Sequence, residues 1–173
     1  SPRIRDFLLQ GKKVLQLNTQ YVLGLLHSFN RRHLGSLNDR LGIQLSPLDA
    51  DTFMGSVRQG QVSVLHLAKY IHDSAARELR NNGAELEPYG SGQVDAQGSE
   101  FVAGLDIYDI VEDYLSEQHN PDVPDIFSGE DLPELLALSP AQLAFNLHGL
   151  HSNSNIILNL CDLQVQDVVE LLY

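Results

Sequence analysis

The chain has a single cysteine, Cys161, among its 173 residues. A lone thiol excludes an intrachain disulfide framework. It suits a reducing compartment, so a cytoplasmic location is expected. Long apolar runs are missing too. Nothing approaches the roughly 18 consecutive apolar residues of a membrane span, and no membrane association is expected. No basic stretch followed by an apolar core opens the chain, so no secretory leader is expected. The most informative absence is positive charge, because no Lys or Arg follows Arg80. Affinity for nucleic acid comes largely from cations on phosphates, so residues 81–173 are poorly equipped to supply it.

What is present is segregated. All 11 Lys and Arg lie in residues 1–80 with six acids, and the other 17 acids lie in residues 81–173. The net charges of the two parts are therefore +5 and −17, which gives the overall −12. Hydrophobic residues make up 43% of the chain, ordinary for a globular protein and too many for a disordered one. A chain of this length buries about 70% of its unfolded surface and needs no metal or disulfide to fold.

Periodicity points to helices. Ile4, Leu8, Gly11, Leu15, Asn18, Val22, Leu25 and Phe29 recur at steps of four and three, the seam spacing of a helix lying along another helix. Phe7, Val14, Tyr21 and Leu26 widen the stripe, which favours a bundle helix over an isolated coiled coil. Leu34, Leu37 and Leu41 continue it, and Gly42 is a good stop. Ser46, Pro47 and Asp49 read as the start of a second helix ending near Gly60. A third is expected from about Ser63 to the glycine at 83. Asp106 and Asp109 open another, and Ser139, Pro140 and Gln142 a further one. The last is expected after Asp162. No strand pattern is convincing. The expected fold is all-α, a bundle of six to eight helices. Residues 84–104 are glycine-rich and aperiodic and read as a flexible loop or linker. The expected organisation is therefore a basic helical subdomain 1–83, the loop 84–104, and an acidic helical subdomain 105–173.

Several stretches carry possible chemistry. "NLHGLHSNSNIILNLCDL", residues 146–163, offers His148, His151 and Cys161. The histidines are three apart, whereas a metalloprotease helix spaces them by four with a glutamate between. No Lys or Arg stands nearby to activate the thiol. The stretch reads as a polar joint between two helices, with Cys161 an ordinary buried thiol.

"GQVSVLHLAKYI", residues 60–71, resembles the glycine–valine–serine–valine entry and "LA" helix of winged-helix DNA-binding domains. That resemblance implies a transcriptional regulator in which Arg58, Lys69, Arg77 and Arg80 face the phosphates. "YIHDSA" resembles the His-Asp doublet of HD-family phosphohydrolases. Its implication is a metal-dependent hydrolase in which His27, His72, Asp73 and Asp106 hold a divalent cation that activates water. His33 and Asp109 are the substitutes for the first and last of these. Both stretches also read as plain amphipathic helix.

Asp106, Asp109, Asp113 and Glu117 form a stripe at helical spacing, flanked by Glu112. Carboxylates without interleaved histidines do not make a di-iron centre. They read as a solvated face or a docking face for a basic partner. The favoured reading is a non-catalytic interaction or regulatory domain without a cofactor. It docks a protein with a basic surface on Asp106, Asp109, Glu112, Asp113 and Glu117, and self-associates through residues 4–29. Nucleic acid is not an expected partner. The alternatives are the DNA-binding regulator, the phosphohydrolase, and an acidic mimic of the nucleic-acid backbone.

Overall fold

The computed structural model describes residues 2–57, 61–82, 105–124 and 132–150. They are mostly helical and contain no strand, so the fold is all-α. Five helices stand among them, against the six to eight expected. The expected loop 84–104 and the helix after Asp162 lie outside the described residues. The chain divides into two compact units: residues 1–16 with 126–173, and residues 17–125. This division does not follow the charge boundary, since the acidic residues 105–124 belong with the basic helices of the larger unit.

Helix α1 spans residues 2–41. It is α-helical over Pro2–Ser28 and Leu34–Leu41, with a π-helical turn, Phe29–His33, between them. The seam predicted from spacing is buried from Val22 through Leu25, Leu26 and Phe29 to Leu37. Asn18, the polar break in that seam, donates its amide N–H to the Val62 carbonyl. Gly42 ends the helix at φ +65°, a left-handed conformation that costs glycine little. Gly24 serves a different need: a Cβ there would lie 3.2 Å from Val123 Cγ1.

The second helix starts three residues later than its sequence suggests. Helix α2 is Ala50–Ser56, and its N-cap is Asp49, whose carboxylate accepts from the Thr52 N–H at 2.7 Å. Ser46 and Pro47 precede it. The cause is tertiary. Asn30 on α1 donates to the Leu48 carbonyl and accepts from the Leu48 N–H, both at 2.8 Å. Asn38 treats Leu45 the same way, at 3.1 and 3.0 Å. Two side-chain amides thus satisfy the backbone of Leu45 and of Leu48 as a neighbouring strand would. A helix begun at Ser46 would turn the Leu48 carbonyl to the Thr52 N–H and break the Asn30 clamp.

Helix α3, Val64–Asn81, follows the sequence reading, with Ser63 as N-cap. Leu67, Ala68, Ile71, His72, Ala75 and Ala76 form its buried face. Helix α4 spans residues 107–115, α-helical over Ile107–Ile110 and π-helical over Val111–Leu115. Asp106 and Asp109 make the predicted capping box. Leu105, Ile110, Tyr114 and Leu115 join Val22, Leu25, Phe29, Phe53, Leu67 and Ile71 in one core. Each such side chain contributes about 1.5–3 kcal/mol when fully buried. The fully buried Asn120 closes the end of this segment by donating to the Tyr114 and Ser116 carbonyls at 2.9 and 2.8 Å.

In the smaller unit, Glu134–Ala137 forms a 3₁₀ turn. Helix α5, Pro140–Leu150, opens on a reciprocal cap. Ser139 Oγ accepts from the Gln142 N–H at 3.3 Å, and Gln142 Oε1 accepts from the Ser139 N–H at 3.0 Å.

Candidate functional site

The two π-helical turns meet in the larger unit, and charge gathers where they do. Each turn admits an extra residue, which re-aims the side chains that follow. On α1 the turn buries Phe29 and leaves Arg31 and Arg32 exposed. Both arginines pair with Asp122, Arg32 at 2.9 Å. Arg40 reaches Asp113 at 3.0 Å and the Tyr114 hydroxyl at 3.4 Å. These two contacts, Tyr114 first, raise the Arg40 pKa above its ordinary value. Tyr114 stands edge-on to Phe29 with ring centroids 6.2 Å apart, and to His33 at 5.9 Å. His33 Nε2 lies 3.1 Å from the His119 carbonyl. The His119 ring is held in turn by Ser116 Oγ at 2.8 Å.

This seam sorts the predicted acidic stripe. Asp106 and Asp109 serve the α4 cap, and Asp113 serves Arg40. Glu117 does not share the helix face, because α4 ends at Leu115 and Glu117 opens a 3₁₀ turn, Glu117–His119. Glu112 and Glu117 are exposed and form no ion pair among the described residues. One turn before Glu112 stands Tyr108, 71% exposed. Sequence spacing did not single it out. A tyrosine on the solvent side of a capped helix is visible only once the buried side is known.

The alternative sites are distributed differently. His72 is buried, and its Nδ1 lies 3.4 Å from Asp73 Oδ1. Lys69 pairs with the same carboxylate at 3.4 Å. Burial pushes the Asp73 carboxyl up, but the His72 hydrogen bond and the Lys69 ammonium together hold it below its usual value. His27 is exposed on α1, and Asp106 is the α4 cap. Among the described residues no three His, Cys, Asp or Glu side chains gather as a metal-holding group. The structure thus joins His72 to Asp73 and does not assemble His27 and Asp106 with them. Arg58, His151 and Cys161 lie outside the described residues. Arg77 and Arg80 are exposed on α3, and His148 is exposed on α5. No helix among the described residues is long and apolar enough to cross a membrane.

The smaller unit has two features of its own. An open cavity of about 450 Å³ is bordered by Arg3, Asp6, Phe7, Gln10, Glu134 and Phe145, among others. The Gln10 Oε1 atom is buried there with no hydrogen-bond partner among the described residues. The other feature is the outer face of the first turns of α1. Leu8 and Leu9 are 64% and 51% exposed, and Leu15 is also exposed. Arg5, Lys12 and Lys13 stand among them, all exposed. Leu8 and Leu15 belong to the predicted seam and are exposed among the described residues, and Leu9 stands beside them.

Compared with protein-family models, with curated proteins and with solved structures, the chain matches none.

Proposed function

We propose that this chain is a non-catalytic interaction or regulatory domain of the cytoplasm, and that its acidic face around Tyr108 takes a protein partner with a basic surface. One observation carries this reading. Glu112, exposed and in no ion pair among the described residues, stands one turn from Tyr108, which is 71% exposed, and Glu117, likewise exposed and in no ion pair, follows just beyond the helix end. Tyrosine is enriched in interface centres because it offers a large rigid contact area together with a hydroxyl. Carboxylates around such an anchor steer a cationic partner and reject an anionic one. Asp106, Asp109 and Asp113 have structural duties, so their share of docking is the smaller one.

The test is a titration with a helical peptide that carries leucines at steps of three and four and lysines on the other positions, followed by amide chemical shifts. Shift changes centred on Tyr108, Glu112 and Glu117 are expected. Raising salt through the physiological range should weaken the affinity about tenfold or more, since exposed charges are screened over roughly 8 Å. Binding that survives Glu112→Lys with Glu117→Lys, or that ignores salt, would refute the reading.

A further inference from the structure

We propose that the partner for this acidic face is a second copy of this chain, docked through the basic, leucine-bearing face of the first turns of α1. The inference rests on the docking role just assigned to Tyr108, Glu112 and Glu117 and names their occupant. Two exposed faces carry it. On α1, Leu8 and Leu9 are more than half exposed, and Arg5 and Lys12 share their side of the helix. Lys13 borders them. None of these three cations forms an ion pair among the described residues. On α4, the exposed Tyr108 stands beside Glu112, with Glu117 just beyond the helix end.

The two faces are complementary in both respects that an interface requires. An apolar pair meets an aromatic anchor, and cations meet carboxylates. Among the described residues, Arg31, Arg32 and Arg40 are matched internally to Asp122 and Asp113, whereas Arg5, Lys12 and Lys13 on one face and Glu112 and Glu117 on the other form no ion pair. Later parts of the sequence-predicted seam, from Val22 on, are buried in the chain's own core and are closed to a second copy. Self-association is therefore confined to the beginning of α1. Because the two faces differ, the contact is heterologous. It propagates from copy to copy unless the geometry closes it into a ring or a reciprocal pair.

The experiment is sedimentation velocity of the full chain over a wide concentration range at low and high salt, with two charge-reversal variants. Lys12→Glu with Lys13→Glu inverts one face, and Glu112→Lys with Glu117→Lys inverts the other. All four positions are exposed, so circular dichroism should report parent-like helix content. The parent chain is expected to self-associate, with an apparent dissociation constant that rises about tenfold or more at high salt. Each variant alone is expected to be monomeric. Mixing the two should restore assembly, because each inverted face then finds its inverted complement.

A parent chain that stays monomeric at every concentration overturns the proposal, as does a Lys12→Glu, Lys13→Glu variant that assembles like the parent. Binding of the α1 face to phosphatidylserine vesicles, without self-association, overturns it in favour of a membrane surface. If the leucine–lysine peptide still binds the acidic face of a strictly monomeric chain, the proposed function stands and only the identity of the occupant falls.

Discussion

Replacing Asn30 with alanine should destabilise the larger unit and move the start of α2. The Asn30 amide makes two hydrogen bonds of 2.8 Å to the backbone of Leu48, a residue only 9% exposed. A net hydrogen bond contributes about 0.5–1.5 kcal/mol, so losing both removes about 1–3 kcal/mol. The upper end applies if water does not reach the freed N–H and carbonyl. Asn30→Leu, which roughly keeps the volume, should lose about as much. Asn30→Asp keeps the acceptor but sets a carboxylate oxygen against the Leu48 carbonyl, so it should be destabilised at neutral pH and recover as the acid is protonated. Urea unfolding measures all three. A second readout is local. Freed from its clamp, the segment should adopt the start its own residues favour, with Ser46 as cap and carbon chemical shifts at 47–49 turning helical. Unfolding free energies of the alanine and leucine variants within about 0.5 kcal/mol of the parent, inside the range of neutral surface changes, would refute the reasoning.

Two further outcomes are expected. Gly24→Ala gains about 1 kcal/mol of helix propensity but drives a methyl to 3.2 Å from Val123 Cγ1. Alone it should be neutral or destabilising, whereas on a Val123→Ala background it should stabilise, and a double-mutant cycle should show coupling above about 0.5 kcal/mol. The Asp49 carboxyl is held below its usual value by Thr52, through its hydroxyl and then its N–H. The Asp73 carboxyl is depressed as well. A depressed carboxyl binds fewer protons folded than unfolded, so its stabilisation is present above the unfolded pKa and fades as pH falls through the folded one. Asp49→Asn with Asp73→Asn should therefore flatten the loss of urea resistance below about pH 4. Asp73 is half exposed, which keeps its share small.

Caps were the part of this fold most legible in sequence, because a cap is settled within four residues. Ser63, the Asp106–Asp109 box, the Ser139–Gln142 box and Gly42 all stand where local chemistry puts them. Ser46–Pro47 satisfies the same local rules and yet does not start a helix. Its competitor, Asn30, lies 18 residues away from Leu48 and gives no sign of itself in the pattern. The π turns were equally silent. Phe29 keeps its seam position, and only the placement of Arg31, Arg32 and His33 reveals the extra residue. The acidic stripe was legible as a helix face as far as Asp113. The spacing could not foresee that Arg40, 73 residues earlier, takes that carboxylate, or that the helix ends before Glu117. Tyr108 entered the site through exposure, a property no single sequence displays.

The meeting of the two π turns also bears on synthesis. Arg31 and Asp122 are 91 residues apart. Ribosomes add about 5–20 residues per second, so roughly 5–20 s pass between the emergence of the first and that of the second. For most of that interval Leu25 and Phe29, joined partway by Leu67 and Ile71, lack Ile110, Tyr114 and Leu115. Until the segment after residue 104 emerges, the nascent chain lacks both the apolar partners of those side chains and the aspartates that pair with Arg31, Arg32 and Arg40.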